Sequence, residues 1–477
     1  MKRLLILLLA LTLLLPVLSR AETLSVYFAS LTDEAEADFL AQHPGVTFTY
    51  AKDYIQTTDE MNGKLLTGEF TYDVFGVQTL YGDPQSIMKK GFCLDLSGSA
   101  VIQEAVGRMW PGIAAQCMQD GRIYAVPTHI QLEPIMANRE VWEGLGLTPQ
   151  DVPQSFPALL DFLDQWVIRM ETEPESIDVY SMWDETIYTK NSYARWLVEL
   201  LLKEYVYQRQ FAGLPIRFDD PALPELLNHA RQTGQAIARI EPVKTETKNP
   251  GLLDYEFLFP LEELADWGIS LRLNDEQPRL LTGLLSLTAV NARTKQPELA
   301  VSFVENVISH ETFVIADMAK FYQDAEPVEN REYPQSRQYI LDMISVVKNA
   351  MEHPEKPLDE CVVLGGEYLE TYQYWYSYMR DEPDMDRIEE LLERWENQIS
   401  SESGRWAVSP EALAAYKKFA PTLFFPASTA FSTEATDAGS NFMTLQKRFA
   451  DGQMEVDQFI REIDRIAEMV ELENMVN

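Results

Sequence analysis

The stretch from Glu22 to Val77 limits the fold more than any other part of the chain. Glu22 to Ala29 alternates as a strand, with Leu24, Val26 and Phe28 on one side. Thr32-Asp33-Glu34-Ala35-Glu36 then opens a helix, its acidic residues in the first turn where the helix dipole favours them. Val46 to Tyr50 alternates again in β-branched and aromatic residues, Met61 to Leu66 leads on, and Tyr72 to Val77 is a short apolar strand. This β-α-β-α-β order implies parallel pairing, because each crossover needs a dozen or more residues and lays its helix on a sheet face.

Further along, Ser155 is placed to cap a helix running to about Met170, and Thr189 to Arg209 is helical with Trp196, Leu197, Leu200 and Leu201 on one face. Leu280 to Ala292 is an apolar-rich stretch with strand character. Lys295 to Ile308 carries Ala300, Phe303, Val304 and Val307 at helical spacing. Beyond about residue 340 the chain is mainly helical, with amphipathic candidates at 388–399, 410–419, 441–449 and 456–475. A chain of 477 residues exceeds what one core of ~250–300 residues holds, so two or more domains are expected, tied by short strand crossings.

Charge removes whole classes of partner. Asp and Glu number 75 against 39 Lys and Arg, a formal net charge of −36, which repels nucleic acid and anionic membrane surfaces. Lys2 and Arg3, the apolar run Leu4 to Leu15, Pro16 and Ser19-Arg20-Ala21 read as an export signal over residues 1–21, with Glu22 the first mature residue. The run is shorter than the roughly 20 residues that span a bilayer. Cleavage is therefore expected, with retention as an anchor the alternative. The expected location is extracellular or periplasmic, at the outer face of the cytoplasmic membrane if tethered. Of the three cysteines, only Cys93 and Cys117 lie near each other, and a bridge and free buried thiols stay equally open.

The search for chemistry returns little. The five histidines are scattered without metal-ligand spacing, and no phosphate-cradling or nucleophile-elbow motif occurs. Gly144-Leu145-Gly146 follows a helix and reads as its C-terminal cap. No catalytic residue, metal site or cofactor is expected; a glycosidase hidden among so many carboxylates is the enzymatic alternative. Ligand-type residues are easier to find. Gln78, Thr79 and Tyr81 follow the third strand at its C-terminal end, where parallel α/β sheets bind ligands. A plain turn with a half-buried Tyr81 explains them equally well. Trp183 and Asp184 pair an aromatic plate with a carboxylate, which suits a sugar; a core tryptophan ahead of a helix capped by Asp184 is the simpler account. Tyr368, Tyr372, Trp375 and Met379 share one helical face and read as core packing rather than a stacking platform.

Asp120-Gly121-Arg122-Ile123-Tyr124-Ala125-Val126-Pro127 is followed by an apolar run to Asn138-Arg139 and a helix ending at Gly146-Leu147. Read alone, the Asp-Gly turn starts a strand, Pro127 stops it, and Asn138 caps the next helix. In this order the segment resembles the "DGKIYAVP" and "YNK…GL" motifs of bacterial extracellular solute-binding proteins of the sugar-binding type. Pro153 to Leu159, Tyr72 to Phe75, Lys90 to Leu96, Lys295 to Phe303 and Asp451 to Ile460 are similar to further motifs of that family. Ala137 stands where the family carries tyrosine, and Phe156 where it carries tryptophan. The resemblance covers roughly residues 24–310 and the last forty or so.

It implies an α/β, two-lobed periplasmic-binding-protein-like fold, each lobe a mainly parallel sheet flanked by helices, with a helical C-terminal part. Lobe 1 is expected over 22–127 plus 285–330, lobe 2 over 128–284 plus 331–477. The implied activity is delivery of a small solute, a sugar or oligosaccharide, to the permease of an ABC importer by hinge closure. A monomer is expected, and a sensing subunit for a membrane receptor is the alternative. Gln78, Thr79 and Tyr81 would touch the ligand from one lobe, Trp183 and Asp184 from the other, and His129 just past the hinge strand.

Overall fold

The computed structural model of the chain describes residues 22–51, 58–79, 84–180, 192–240, 249–254, 259–310, 315–353, 374–375, 377–379, 384–400, 404–426 and 437–476. Residues 326–413 form one compact unit and the rest of the chain another.

The larger unit is built on two main sheets and a two-stranded hairpin. Its strands in chain order are β1 (Thr23–Tyr27), β2 (Thr47–Tyr50), β3 (Val74–Gln78), β4 (Met118–Gln119), β5 (Arg122–Ile123), β6 (Ala125–Leu132), β7 (Met136–Ala137), β8 (Asp178–Tyr180), β9 (Gly251–Asp254) and β10 (Leu281–Val290), and further on the short strand Leu423–Phe424. β1 pairs in parallel with β2 and β3, as the β-α-β-α-β pattern requires. The other half of this sheet is antiparallel: β10 lies between β3 and β6 and opposes both. Leu423–Phe424 runs parallel to the first residues of β10. The second sheet is smaller, with β9 between β7 and β8. The chain is thus α/β, with the parallel pairing among the described residues confined to β1–β2, β1–β3, β8–β9 and the last strand beside β10.

Sequence and packing agree closely around the first sheet. Phe39 of the helix Asp33–Gln42 is fully buried and meets Phe303 of the helix Pro297–Ser309 edge-on at 5.9 Å. Asp73 is 8% exposed, a costly place for a carboxylate unless its oxygens are satisfied. Ser25 donates to it through backbone N (2.9 Å) and hydroxyl (2.6 Å), and Thr294 through its hydroxyl (2.6 Å), which ties β1, β3 and the end of β10 together. Cys93 and Cys117 are buried free thiols, so no bridge joins them. Burial pushes Cys93 up to about 12, far from a reactive thiolate.

Asp120 and Gly121 both take positive φ (50° and 77°), the two-residue turn of the β4–β5 hairpin. Strand β6 does not stop at Pro127, as expected from the sequence. Pro127 sits inside it, opposite Leu287, beside a register shift at Ser286/Leu287 that accommodates the missing N–H. The chain leaves the first sheet only at Glu133–Ile135. Asn138 then caps the helix Arg139–Gly144, its Oδ1 accepting from Val141 N at 3.1 Å.

The second sheet contacts the helix Arg139–Gly144 through β9 and the short helix Leu264–Trp267 through β7, while the helix Leu223–Ile237 packs against both Phe156–Thr172 and Ser192–Phe211. Asp164 locks two of them by accepting from His229 Nε2 and Thr233 Oγ1, both at 2.7 Å. Further on, Phe449 and Phe459 stack at 4.6 Å between the helices Asp437–Ala450 and Val456–Val476. The chain passes between the two sheets at Glu133–Ile135 and over 269–280, and a third segment leaves the first sheet after Phe424, ahead of the helix Asp437–Ala450. These passages are called the crossings below.

In the smaller unit, the helices Tyr333–Glu352 and Met385–Ser400 enclose an apolar cluster of Met343, Val346, Val347, Ala350, Ile388 and Leu392, joined by Met379 and Trp375. That is the core role expected for Trp375 and Met379; Tyr368 and Tyr372 lie outside the described residues. Among the described residues no helix is long and apolar enough to cross a membrane.

Candidate functional site

Strands β3, β10 and β6 lie side by side, so residues opposite one another share a face. Gln78 faces Ser286, and Ser286 faces His129. All three are half-exposed, at the end of the sheet where the parallel strands β1 and β3 finish. Two of the residues singled out in the sequence, Gln78 and His129, therefore stand in one row with Ser286 between them. The same face continues along β10 and β6 through Leu284 and Gln131, then Thr282 and Glu133. From Ser286 to Thr282 is about 13 Å at strand spacing.

His129 is held from the outer edge of the sheet. Its Nδ1 lies 2.6 Å from Asp317 Oδ2, on the helix Ile315–Phe321. Asp317 is fully buried; it also accepts from Ile130 N at 3.3 Å and from Lys320 Nζ at 3.4 Å. A carboxylate oxygen accepts, so Nδ1 is the donor of this pair. Ser286 makes no hydrogen bond to His129 among the described residues.

Phe28 flanks the row at its other end and was missed from sequence, where alternation placed it beside Leu24 and Val26 on the buried side. The strand ends at Tyr27, and Phe28 takes φ 49° with half its surface exposed. Its carbonyl and ring lie over Gly76 of β3, where any Cβ would collide with the carbonyl. Gly76 and Gln78 are two apart, so the Phe28 ring and the Gln78 amide belong to the same face.

Toward the second sheet this face opens into a cavity of about 130 Å³. All three crossings wall it, through Glu133, Pro134 and Ile135, through Ile269, Leu271 and Arg279 with the adjoining Leu281 and Thr282, and through Pro426. The helix Ser192–Phe211 adds Lys203, Glu204 and Tyr207. Burial pushes Glu204 up to about 7, against the opposing hydrogen bond from Gln208 Nε2 at 2.6 Å. Burial likewise raises Tyr207 to about 12 although Lys203 opposes it. Burial disfavours the charge on Lys203 as well, but Glu199, at 2.6 Å, with Tyr207 and Glu133 more than offsets that. Gln208 also donates to Pro278 O at 2.9 Å, fastening the helix to the second crossing.

Other sequence-derived candidates have other surroundings. Thr79 is 7% exposed and its hydroxyl accepts from Leu285 N at 3.0 Å, so the side chain serves the β3–β10 ladder. Tyr81, Trp183 and Asp184 lie outside the described residues. A larger hollow of about 560 Å³ lies by Asn138, Arg139, Asp254 and Glu263, but its groups satisfy one another. Arg139 bonds Glu143 at 2.9 Å and Glu263 at 3.1 Å, and Asn138 Nδ2 bonds Asp254 at 2.6 Å. Among the described residues no group of three or more His, Cys, Asp or Glu could hold a metal ion.

No family model and no curated protein sequence matches the chain. Solved structures show a distant likeness. A cyclic α-maltosyl-1,6-maltose binding protein from Arthrobacter globiformis is 13% identical over 94% of this chain and 98% of its own, at a TM-score of 0.49. An ABC substrate-binding protein from Listeria monocytogenes, in complex with cycloalternan, is 9% identical over the same shares, at 0.48. The apo form of RafE from Streptococcus pneumoniae is 14% identical over the same shares, at 0.47.

Proposed function

We propose that this chain is the exported solute-binding component of an ABC importer and that its ligand is a sugar or oligosaccharide. The observation that carries the reading is the polar row Gln78–Ser286–His129, set at the C-terminal end of parallel strands and running into a cavity walled by all three crossings. Carboxamide, hydroxyl and imidazole are the donors and acceptors that hydroxyl-rich rings need, and Phe28 supplies an apolar plate beside them. From the Gly76 position to Thr282 the face runs about 20 Å at strand spacing, an oligosaccharide's length rather than a monosaccharide's. The ordered sequence motifs support the same reading.

The two sheets are then the cores of two lobes, and the crossings are the hinge. Ligand touching both sides only in the closed form drives closure by its differential affinity, and the closed form is what a permease would recognise. Tyr81, Trp183 and Asp184 are proposed as further contacts. The chain makes and breaks no bond.

Calorimetry of the purified chain against a glycan panel tests this directly, with Gln78→Ala and His129→Ala alongside. Each truncation is expected to weaken binding about 5- to 30-fold, the worth of one or two hydrogen bonds. Unchanged affinity in both variants would move the site off this face, and turnover of a chromogenic glycoside would replace the binding reading by an enzymatic one.

A further inference from the structure

Among the described residues, one cation in the cavity at the crossings is not neutralised. Arg279 stacks its guanidinium 4.7 Å above the Phe419 ring and donates through Nη2 to the Leu264 carbonyl at 3.3 Å. It has no carboxylate partner among the described residues, although acidic residues outnumber basic ones almost two to one. Only burial, first, and the nearby Arg272 act on it; together they bring it down to about 10, which leaves it charged at neutral pH. The other ionisable groups in the wall are Lys203, Glu133, Glu204 and Tyr207. The charge of Lys203 is met by Glu199 and Glu133, while Glu204 keeps its proton up to about pH 7 and can then donate.

We infer that the solute carries a carboxylate and that this group enters the cavity to dock on the Arg279 guanidinium, so the ligand is an acidic sugar of the uronic acid kind. The inference rests on the sugar-binding reading above and narrows it. A guanidinium fork matches a carboxylate with two parallel hydrogen bonds, and partial burial strengthens both. A volume of about 130 Å³ takes a carboxylate, its carbon and a water or two, while the neutral rings lie outside on the polar face. The cation's stacking on Phe419 holds the fork in place before the ligand arrives.

The test is calorimetry of the full chain with glucuronic and galacturonic acids and their oligosaccharides, against the neutral glucose and galactose counterparts and against inorganic phosphate. Acidic ligands are expected to bind at least ~10-fold tighter than their neutral counterparts. In Arg279→Met, which keeps the stem packing and loses the charge, that preference should be lost, a fall of at least ~10-fold in acidic-ligand affinity, while neutral-sugar affinity holds. Arg279→Lys should keep part of it; if Arg279→Met fails to fold, a full preference in Arg279→Lys overturns the fork. Neutral sugars binding as well as acidic ones would overturn the inference and leave the solute-binding reading standing. Phosphate binding as tightly as the acidic sugars would also overturn it, as a site for free anions. No binding by any sugar would remove the reading on which it rests.

Discussion

Phe28 shows how a single residue can be strained for a purpose. A bulky L-residue at φ 49° costs about 1–2 kcal/mol relative to ordinary backbone, and such outliers persist where the surrounding structure over-determines them. Here the constraint comes from Gly76, whose missing Cβ leaves room for the Phe28 carbonyl. Asn tolerates this backbone region better than Phe, so Phe28→Asn is expected to leave the melting temperature unchanged or slightly higher while ligand affinity falls about 10-fold. A drop of several degrees with affinity intact would make Phe28 a packing residue. Gly76→Ala, by contrast, should destabilise by ~1–3 kcal/mol, because backbone rather than a flexible side chain blocks the new methyl group. Strand alternation could not reveal any of this. Period two assigns a face to Phe28 only while the strand continues, and the strand ends one residue earlier.

Among the elements, those with strong local signals were legible and those defined by tertiary pairing were not. The helix after Ser155 and the helix after Asn138 start where their caps say, since each cap oxygen takes a first-turn N–H whatever the distant packing. Asn138→Ala should accordingly cost about 1 kcal/mol in denaturant melts. Strand β6 shows the opposite case. Pro127 reads as a stop, but β10 supplies a long partner and a register shift absorbs the proline, so pairing overrides local chemistry. Gln78 and His129 could each be chosen by position, but not their shared row, because registration through Ser286 requires two antiparallel pairings distant in sequence.

Glu204 adds an element-scale prediction. The unfolded chain releases its proton near 4.5 and the folded chain near 7, so between those values the folded state binds more protons and stability falls as pH rises. Below about 4.5 the effect vanishes, and above about 7 it is constant. Glu204→Gln should therefore match the parent near pH 4.5 and exceed it by roughly 1–3 kcal/mol at pH 8. A difference that does not vary with pH would show that Glu204 does not titrate in this window.

At the scale of the whole molecule, the α/β class followed from β-α-β-α-β order alone, yet the cavity at the crossings left no mark in the sequence. Its walls come from segments that span almost three hundred residues of sequence, from Glu133 to Pro426, and no segment taken singly carries a pattern that points to the others. That arrangement decides how binding should be felt. A ligand group seated among Glu133–Ile135, Arg279 and Pro426 contacts every crossing at once, so it favours whichever arrangement of the crossings fits it. Binding to the native state alone raises stability by mass action, about 2.7 kcal/mol at a hundred times Kd. Any tight ligand does that, so thermal shift alone does not report a hinge. Amide hydrogen exchange separates the two cases. If the crossings are the hinge, saturating ligand should slow exchange at 133–135 and 269–280 as strongly as along β3 and β10, because closure removes the local openings of those segments. Protection confined to the Gln78–Ser286–His129 row, with the crossings exchanging as in the free chain, would mean that the site binds without closing.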